Sequence, residues 1–328
     1  MKVAELIARR EVQWKELEKL CSDDKKSLRK DPEKLVRFSE LYRGTCADLA
    51  LAESHQLPPQ TIDYLHRLVA VAHNQLYRSS KYQWQKWFKI LFEETPQAIF
   101  REPCIHFCFV VFWGLLISSA YLSFENSIWP GFANEVVGEK NLENVERIYR
   151  GFDGRSFADN SMMTGFYVYN NAGIGLSCFV SMLFLIPGFV TLSNNAVQIG
   201  AVFGYMFRPD LGDASINFKT FVTAHGPLEL TAIVLSAGAG LKIGLSWLIT
   251  NGLSRRDSLI TTAREALPIV MCAVVLFCLA AIVEGFISPT PEKYMPWWVK
   301  GSVSVFTSLM LMFYFVILGY PRKARGPF

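Results

Sequence analysis

The sequence lacks several patterns that mark soluble enzymes and nucleic-acid-binding proteins. Charged residues make up only 19% of the 328 residues, whereas soluble domains average roughly 25%. No run of lysine and arginine has aromatic residues interleaved with it, so we expect no nucleic-acid partner. Residues 1–20 are too charged to form the apolar core of a signal peptide, so we expect the first residues to stay in the cytoplasm.

Motifs for cofactors and metals are also missing. None of the seven cysteines forms a Cys-x-x-Cys pair, and five of them lie in apolar runs, where cysteine behaves as a small hydrophobic residue. The G-x-S-x-G, Walker and dinucleotide-binding patterns are absent, and no H-E-x-x-H zinc motif occurs. The sequence therefore predicts no cofactor, no metal and no catalytic residue, and favours a protein that is not an enzyme.

Charge is distributed unevenly along the chain, which predicts a soluble head followed by a membrane body. Residues 1–103 are dense in charged side chains, and beyond them the charges collect in short islands between long apolar runs. Three stripes of apolar residues at helical spacing predict a cytoplasmic helical bundle over residues 1–80. Asp31 and Pro32 have the residue types expected at the N-cap and first position of a helix.

A short aromatic segment separates the head from the first long apolar run. Within residues 81–94, Trp84, Trp87, Phe88 and Leu91 share one helical face, with lysines on or near the opposite face. This pattern is typical of a helix that lies in the headgroup region of a bilayer. Residues 81–103 are therefore interpreted as an interfacial amphipathic helix and linker.

The rest of the chain predicts an all-α, polytopic membrane protein with about six transmembrane helices in a domain of residues 104–320. A spanning helix needs about 20 mainly apolar residues. The third candidate segment is short, so it either spans or re-enters. The predicted spans are about 104–124, 171–192, 196–207, 225–249, 268–288 and 298–320.

Basic residues set the predicted orientation. The head, the segment 250–267 and the basic tail 321–328 carry the excess of lysine and arginine, and such segments stay on the cytoplasmic side. Six spans place all three on that side. We therefore expect a multi-pass protein of the cytoplasmic membrane, with both termini in the cytoplasm.

The stretch AHGPLEL places polar residues at the start of the fourth predicted span, with Pro227 in its first turn. His225 and Glu229 are four residues apart and share one helical face. A carboxylate in an apolar span needs a partner or a water-filled cavity, and Glu284 and Arg208 are predicted to lie on the same side of the membrane. This site has three open interpretations, namely a structural clasp, a path for a substrate or ion, and catalysis.

Two further features belong to the predicted membrane domain. Asn170 and Asn171 open the second predicted span on the same side as His225, and amides at that position cap or bridge helices. Ser236, Gly240 and Gly244 form a stripe of small residues at every fourth position. Such a stripe allows close helix contact, in a homodimer seam or in an internal helix pair.

The sequence HGPLELTAIVLSAGAGL resembles the H-G-x-x-E-L segment and following glycine-rich helix of the stage II sporulation protein M family. VYNNAGIGLSCF resembles the double-asparagine start of that family's second span, and FEETPQAIFRE resembles its approach to the first span. The resemblance implies a polytopic membrane protein without established enzymatic activity. It also implies that His225, Glu229, Asn170 and Asn171 are the positions of the family site.

The resemblance to this family implies a scaffold role, so we expect a non-enzymatic integral membrane protein that acts as a scaffold for envelope or peptidoglycan remodelling. Its expected partners are the lipid bilayer, a second copy of the chain, and cell-wall hydrolases or other membrane proteins. One alternative is a transporter or channel with an outward-facing vestibule lined by His225, Glu229, Glu284 and the asparagines. A membrane-embedded hydrolase is the other.

Overall fold

The computed structural model describes residues 3–22, 31–76, 84–151 and 156–321. All regular secondary structure in these ranges is helical, and they contain no strand. The chain divides into two compact units, Met1–Gln83 and Trp84–Phe328. Residues 322–328 of the predicted basic tail lie outside the described ranges.

The described residues of the first unit form three helices: α1 (Val3–Ser22), α2 (Pro32–Ser54) and α3 (Pro59–Leu76). Each helix contributes apolar side chains to one core, as the predicted stripes require. The cytoplasmic location of this unit stays a prediction. The buried members of the core are Trp14, Leu17, Phe38, Leu41, Ala52, Leu65, Leu68 and Ala72.

The start of α2 follows the prediction made from its sequence. The Asp31 side chain accepts hydrogen bonds from the backbone nitrogens of Glu33 (3.1 Å) and Lys34 (3.3 Å). Pro32 occupies the first helical position, where its missing N–H leaves no hydrogen bond unmade. This cap explains why the helix begins at this point.

The aromatic segment at the start of the second unit is helical. Trp87 and Phe88 are 56% and 60% exposed, and Leu91 is also exposed. An exposed apolar face suits a headgroup environment, and the interfacial location itself stays a prediction. Side chains of residues 81–86 lie outside the described part of the chain. The segment consists of α4 (Trp84–Lys89), a π-helical turn (Ile90–Glu94) and α5 (Thr95–Arg101).

Six long helices form the described body of the second unit. Within the described ranges, four segments are long and apolar enough to cross a membrane, namely Pro103–Phe124, Asp213–Ser246, Arg255–Ile287 and Trp297–Leu318. The chain is therefore a multi-pass membrane protein, and the count of six spans stays a prediction. The long helices are α6 (Pro103–Phe124), α9 (Phe157–Met182), α10 (Ile186–Met206), α11 (Asp213–Ser246), α12 (Arg255–Ile282) and α13 (Trp297–Met312).

Shorter elements complete this unit. Between α6 and α9 lie two short helices that continue the chain outside the long apolar segments. π-Helical turns extend the ends of α12 and α13. These elements are α7 (Phe132–Val137), α8 (Glu139–Arg150), a 3₁₀ turn (Pro209–Leu211), and the π turns Val283–Ile287 and Phe313–Leu318.

The predicted spans 171–192 and 196–207 had the wrong boundaries. The chain turns between Met182 and Ile186, and Leu185 there has a positive φ of 58°. Pro187 is the second residue of α10, where proline favours a helix start. The first predicted segment therefore contains parts of two helices, and the second is the last part of the 21-residue helix α10.

The helices that contain the fourth and fifth predicted spans begin before those spans, and the helix start predicted near residue 225 was too late. Helix α11 begins at Asp213 and not near residue 225, so Pro227 lies inside the helix. Helix α12 begins at Arg255 and not at residue 268. Ser254 caps it, accepting a hydrogen bond from the backbone nitrogen of Asp257 (3.1 Å). Apolar length marks only the part of a helix suited to lipid, and polar turns extend both helices beyond it.

Helices α6 and α10 run parallel and approach closely. The Ser119 hydroxyl donates to the carbonyl of Val197, and one turn later the Ser123 hydroxyl donates to the carbonyl of Ala201, both at 2.6 Å. Gly200 faces the α6 backbone, leaving no room for a side chain. Short serine bonds and a glycine contact of this kind are typical of helix pairs in membranes.

The predicted stripe of small residues packs inside the chain. A Cβ atom added to Gly240 would lie 2.9 Å from Met182 Cβ, and one added to Gly244 would lie 2.7 Å from the Met182 carbonyl oxygen. A Cβ atom added to Gly175 on α9 would lie 3.2 Å from Ser236 Oγ. The stripe is therefore the seam between α11 and α9, and this face is not available for a homodimer.

The predicted topology can be tested by cysteine labelling. Lys140 and Arg256 are exposed in the structure, and six spans place Lys140 outside and Arg256 inside. Cysteines at these positions, in a background without Cys21, Cys46 and Cys104, should react with a membrane-impermeant maleimide from opposite sides of the membrane. Labelling of both from the same side would contradict the six-span topology.

The packing of α11 against α9 predicts the effect of a single methyl group. Gly240→Ala places a methyl group in overlap with the Phe179 carbonyl oxygen, and overpacking costs about 1–3 kcal/mol. Thermal unfolding in detergent should therefore start at a lower temperature. The matched control is Gly173→Ala, because no atom lies within 4 Å of the added methyl group. Equal unfolding temperatures for the two variants would contradict the close contact.

Candidate functional site

Three ionisable side chains meet within the membrane body, and we name them the polar cluster: His225, Glu229 and Glu284. One nitrogen or oxygen from each side chain lies within 4.8 Å of the other two. The exposed fraction of the side chain is 7% for His225 and 18% for Glu229, and Glu284 is 8% exposed. The structure thus brings together the histidine and both carboxylates singled out from the sequence.

Both helices that carry the polar cluster depart from regular α-helix at this level. Pro227 lies between His225 and Glu229 on α11, and its ring removes one backbone hydrogen bond. The Thr231 hydroxyl donates to the Pro227 carbonyl at 2.7 Å. Glu284 lies in the π-helical turn Val283–Ile287, and such turns occur frequently at functional sites.

The two ring nitrogens of His225 have different surroundings. Nδ1 lies 2.9 Å from the Ser288 hydroxyl. Nε2 lies 3.9 Å from Glu229 Oε2, which is longer than a hydrogen bond. With the proton on Nδ1, the lone pair of Nε2 faces the carboxylate.

The predicted asparagines connect a third helix to the polar cluster. Asn171 on α9 is buried, and its amide donates to Glu284 Oε2 at 3.0 Å. The amide of the exposed Asn170 donates in turn to the Asn171 side-chain oxygen at 2.9 Å. The polar cluster therefore joins α9, α11 and the end of α12 through side-chain contacts.

Aromatic rings and a lysine surround the polar cluster. The ring of Phe221 packs edge-on against His225 with centroids 5.4 Å apart, and Tyr149 of α8 packs against Phe221 at the same distance. The Lys300 ammonium group is buried and donates to the carbonyls of Ser288 (2.8 Å) and Thr290 (2.7 Å). Lys300 thus fixes the backbone of Ser288, whose hydroxyl lies beside the histidine.

Arg208 does not join the polar cluster, although the sequence suggested it as a partner of Glu229. Its Nε donates to the Ser123 carbonyl at 2.9 Å, and its Nη2 donates to the Asn126 side chain at 3.3 Å. The arginine follows α10, and the end of α6 supplies its acceptors. The structure therefore gives Arg208 a role in joining these two helix ends.

An ion-pair group at the other end of α11 was not recognised in the sequence. Lys242 lies 3.0 Å from a carboxylate oxygen of Glu102 and 3.1 Å from one of Glu265. The two acidic partners come from separate segments of the chain, so no local spacing in the sequence predicts their ion pairs with Lys242.

Comparison with protein families identifies the membrane body. The model for stage II sporulation protein M matches residues 104–289, which is more than half of the chain. The chain belongs to the stage II sporulation protein M family. A second model, for a domain of unknown function (DUF8413), matches residues 4–78. No curated protein and no solved structure matches the chain.

The region matched by the family contains the whole polar cluster. It includes α9, with Asn171, and extends one residue beyond Ser288. Helix α13 and Lys300 lie outside the match. The residues that face one another across α9, α11 and α12 therefore all belong to the part of the chain that the family describes.

The contact between Asn171 and Glu284 can be measured with a double-mutant cycle. Asn171→Leu removes the amide donor, keeps the branched shape of the side chain and should lower the free energy of unfolding by about 1–3 kcal/mol. Because the two side chains touch, Asn171→Leu and Glu284→Met, which removes the acceptor, should give a coupling energy of at least about 0.5 kcal/mol.

The stability of each variant in the cycle is measured by thermal unfolding in detergent. Asn170→Ala is the control, because Asn170 is exposed and contacts Glu284 only through Asn171. This control should change stability much less than Asn171→Leu. Strictly additive effects of the Asn171 and Glu284 substitutions would show that the hydrogen bond contributes nothing to the fold.

Proposed function

We propose that the chain is a non-enzymatic integral membrane scaffold that organises proteins of envelope or peptidoglycan remodelling. The observation that carries the proposal is a fixed polar platform, which we define as α7 and α8 (residues 132–150). It lies between the first and second long helices and belongs to no candidate span. A scaffold needs such a surface outside the apolar body.

The platform is anchored by side chains that are buried against the long helices. Phe132 and Leu142 are buried. Tyr149 packs against Phe218 and Phe221 of α11 with ring centroids 5.1 and 5.4 Å apart. Its carbonyl accepts a hydrogen bond of 2.8 Å from the Asn217 amide. The position of the platform is therefore fixed by packing as well as by chain connectivity.

The exposed face of the platform carries charges of both signs. Lys140, Glu143 and Arg147 are exposed on α8. Beside them is a cavity of about 380 Å³ whose lining includes Glu146 and Arg208. A mixed, polar surface suits a non-obligate protein partner, because such interfaces are about as polar as ordinary protein surface.

A transporter or channel is the second candidate, and one observation favours it. Glu229 retains 18% of its side-chain exposure although it lies on a candidate span, and carboxylates in such positions often mark ion pathways. One observation argues against a transporter: no residue of the polar cluster lines the cavity beside the platform. Two of the rings around the cluster, those of Phe221 and Tyr149, pack on one another.

The scaffold proposal predicts site-specific crosslinks from the platform. A photo-reactive amino acid at Glu143, in native membranes, should form covalent adducts with envelope proteins that bind or cleave peptidoglycan. The same amino acid at Val305 is the control, because that side chain is exposed on the candidate span Trp297–Leu318. Val305 should crosslink to lipid and not to these proteins.

Mass spectrometry of the adducts decides between the candidates. Identical protein adducts from both positions, or none from Glu143, would contradict the scaffold. Solute or ion flux in proteoliposomes that stops in Glu229→Gln would then establish the transporter instead. The Glu229→Gln protein must first show a normal unfolding transition, so that loss of flux is not loss of fold.

A further inference from the structure

We infer that His225, Glu229 and Glu284 bind a divalent transition-metal ion of the Zn²⁺ or Mn²⁺ class inside the membrane body. This inference goes beyond the scaffold, because neither the platform nor its partners require a metal. It stands on the placement of three potential ligands and on the groups that hold them.

The three side chains have the spacing of a metal site that is slightly open. Their ligand atoms lie within 4.8 Å of one another. Bonds of about 2.0–2.2 Å to a tetrahedral ion place neighbouring ligands roughly 3.4 Å apart, so closure requires a shift of about 1.4 Å. The Glu229 side chain can make this shift, because among the described residues its carboxylate has only the 3.9 Å contact with His225.

Electrostatics favour a cation between these groups. The two carboxylates and Nε2 of His225 converge in a largely buried space, and two like charges so close together are unfavourable there. The nearby ammonium group of Lys300 is bound to the carbonyls of Ser288 and Thr290. A divalent ion would neutralise both carboxylates and accept the histidine lone pair at once.

The outer partners of the ligands are an independent observation that points to a metal. A histidine that binds a metal through one nitrogen usually donates the other N–H to a backbone or side-chain acceptor, which fixes the tautomer. Nδ1 of His225 lies 2.9 Å from the Ser288 hydroxyl, which can serve as that acceptor. Glu284 is likewise oriented by the amide of Asn171 at 3.0 Å.

The ligand types limit the choice of ion. One imidazole and two carboxylates suit Zn²⁺ and Mn²⁺, whereas sites without nitrogen ligands favour Mg²⁺ or Ca²⁺. Three protein ligands leave at least one position for water or another donor. An ion in this place would join α11 to the π turn of α12 and strengthen the contact that Asn171 makes from α9.

Metal content and stability of the full chain in detergent test the inference. Protein purified without chelator should contain about one ion per chain, and ZnCl₂ or MnCl₂ added to EDTA-stripped protein should raise the unfolding temperature. Glu229→Gln and His225→Gln should each weaken binding by more than about 100-fold, because outer partners alone are worth 10–100-fold. Asn171→Leu should therefore weaken binding by about 10-fold.

Two further variants serve as controls for the metal-binding test. Glu265→Gln removes a carboxylate of α12 that pairs with Lys242, and it should bind metal as the wild type does. Glu229→His exchanges one ligand for another and should restore Zn²⁺ binding relative to Glu229→Gln, which a purely structural role would not produce.

Two results would overturn the metal site. One is stripped wild-type protein whose unfolding temperature responds to neither ion, and the other is a folded Glu229→Gln protein that binds either ion as well as the wild type does. Crosslinking from Glu143 does not depend on either result. Loss of the metal site would therefore leave the scaffold proposal standing, and loss of the platform crosslinks would leave the metal site standing.

Discussion

The burial of two carboxylates among membrane helices is the constraint on which the rest of the structure depends. An ionisable group within an apolar span costs several kcal/mol unless neighbouring helices compensate it. Glu229 and Glu284 lie on different helices, and the described groups near them include His225 on α11, Ser288 after the end of α12, and Asn171 on α9. Compensating these charges therefore requires α9, α11 and α12 to hold one relative arrangement.

Close backbone approach makes that arrangement possible. A Cβ atom at Gly285, next to Glu284, would lie 3.2 Å from the Asn160 carbonyl oxygen of α9, so the π turn fits only with glycine there. At the other end of the seam, Gly240 and Gly244 let α11 contact the last turn of α9. The glycine contacts bring the backbones together, and the polar contacts then fix which side chains face one another. Apolar packing alone would leave this register less well defined.

Local spacing made part of the site predictable. His225 and Glu229 share a helical face because four residues make about one turn, and the cost of a buried carboxylate directed attention to Glu284.

Other parts of the structure could not be predicted. Arg208 was wrongly expected to be a partner of Glu229, because lying on the same side of the membrane does not show which neighbour is nearer. The end of α6 offered carbonyl acceptors instead. The turn at Leu183–Leu185 is as apolar as its flanks, so hydropathy could not separate α9 from α10. The polar first turns of α11 are helical because Phe218 and Phe221 pack against α8.

One side chain links the membrane site to the surface proposed for partners. Phe221 packs against His225 of the polar cluster on one side and against Tyr149 of the platform on the other, with both pairs of centroids 5.4 Å apart. Packed interiors respond to displacement as units, because they contain few voids to absorb it. The rings of His225, Phe221 and Tyr149 therefore form one continuous packed group. The polar cluster and the platform thus share the aromatic contacts that fix their relative position.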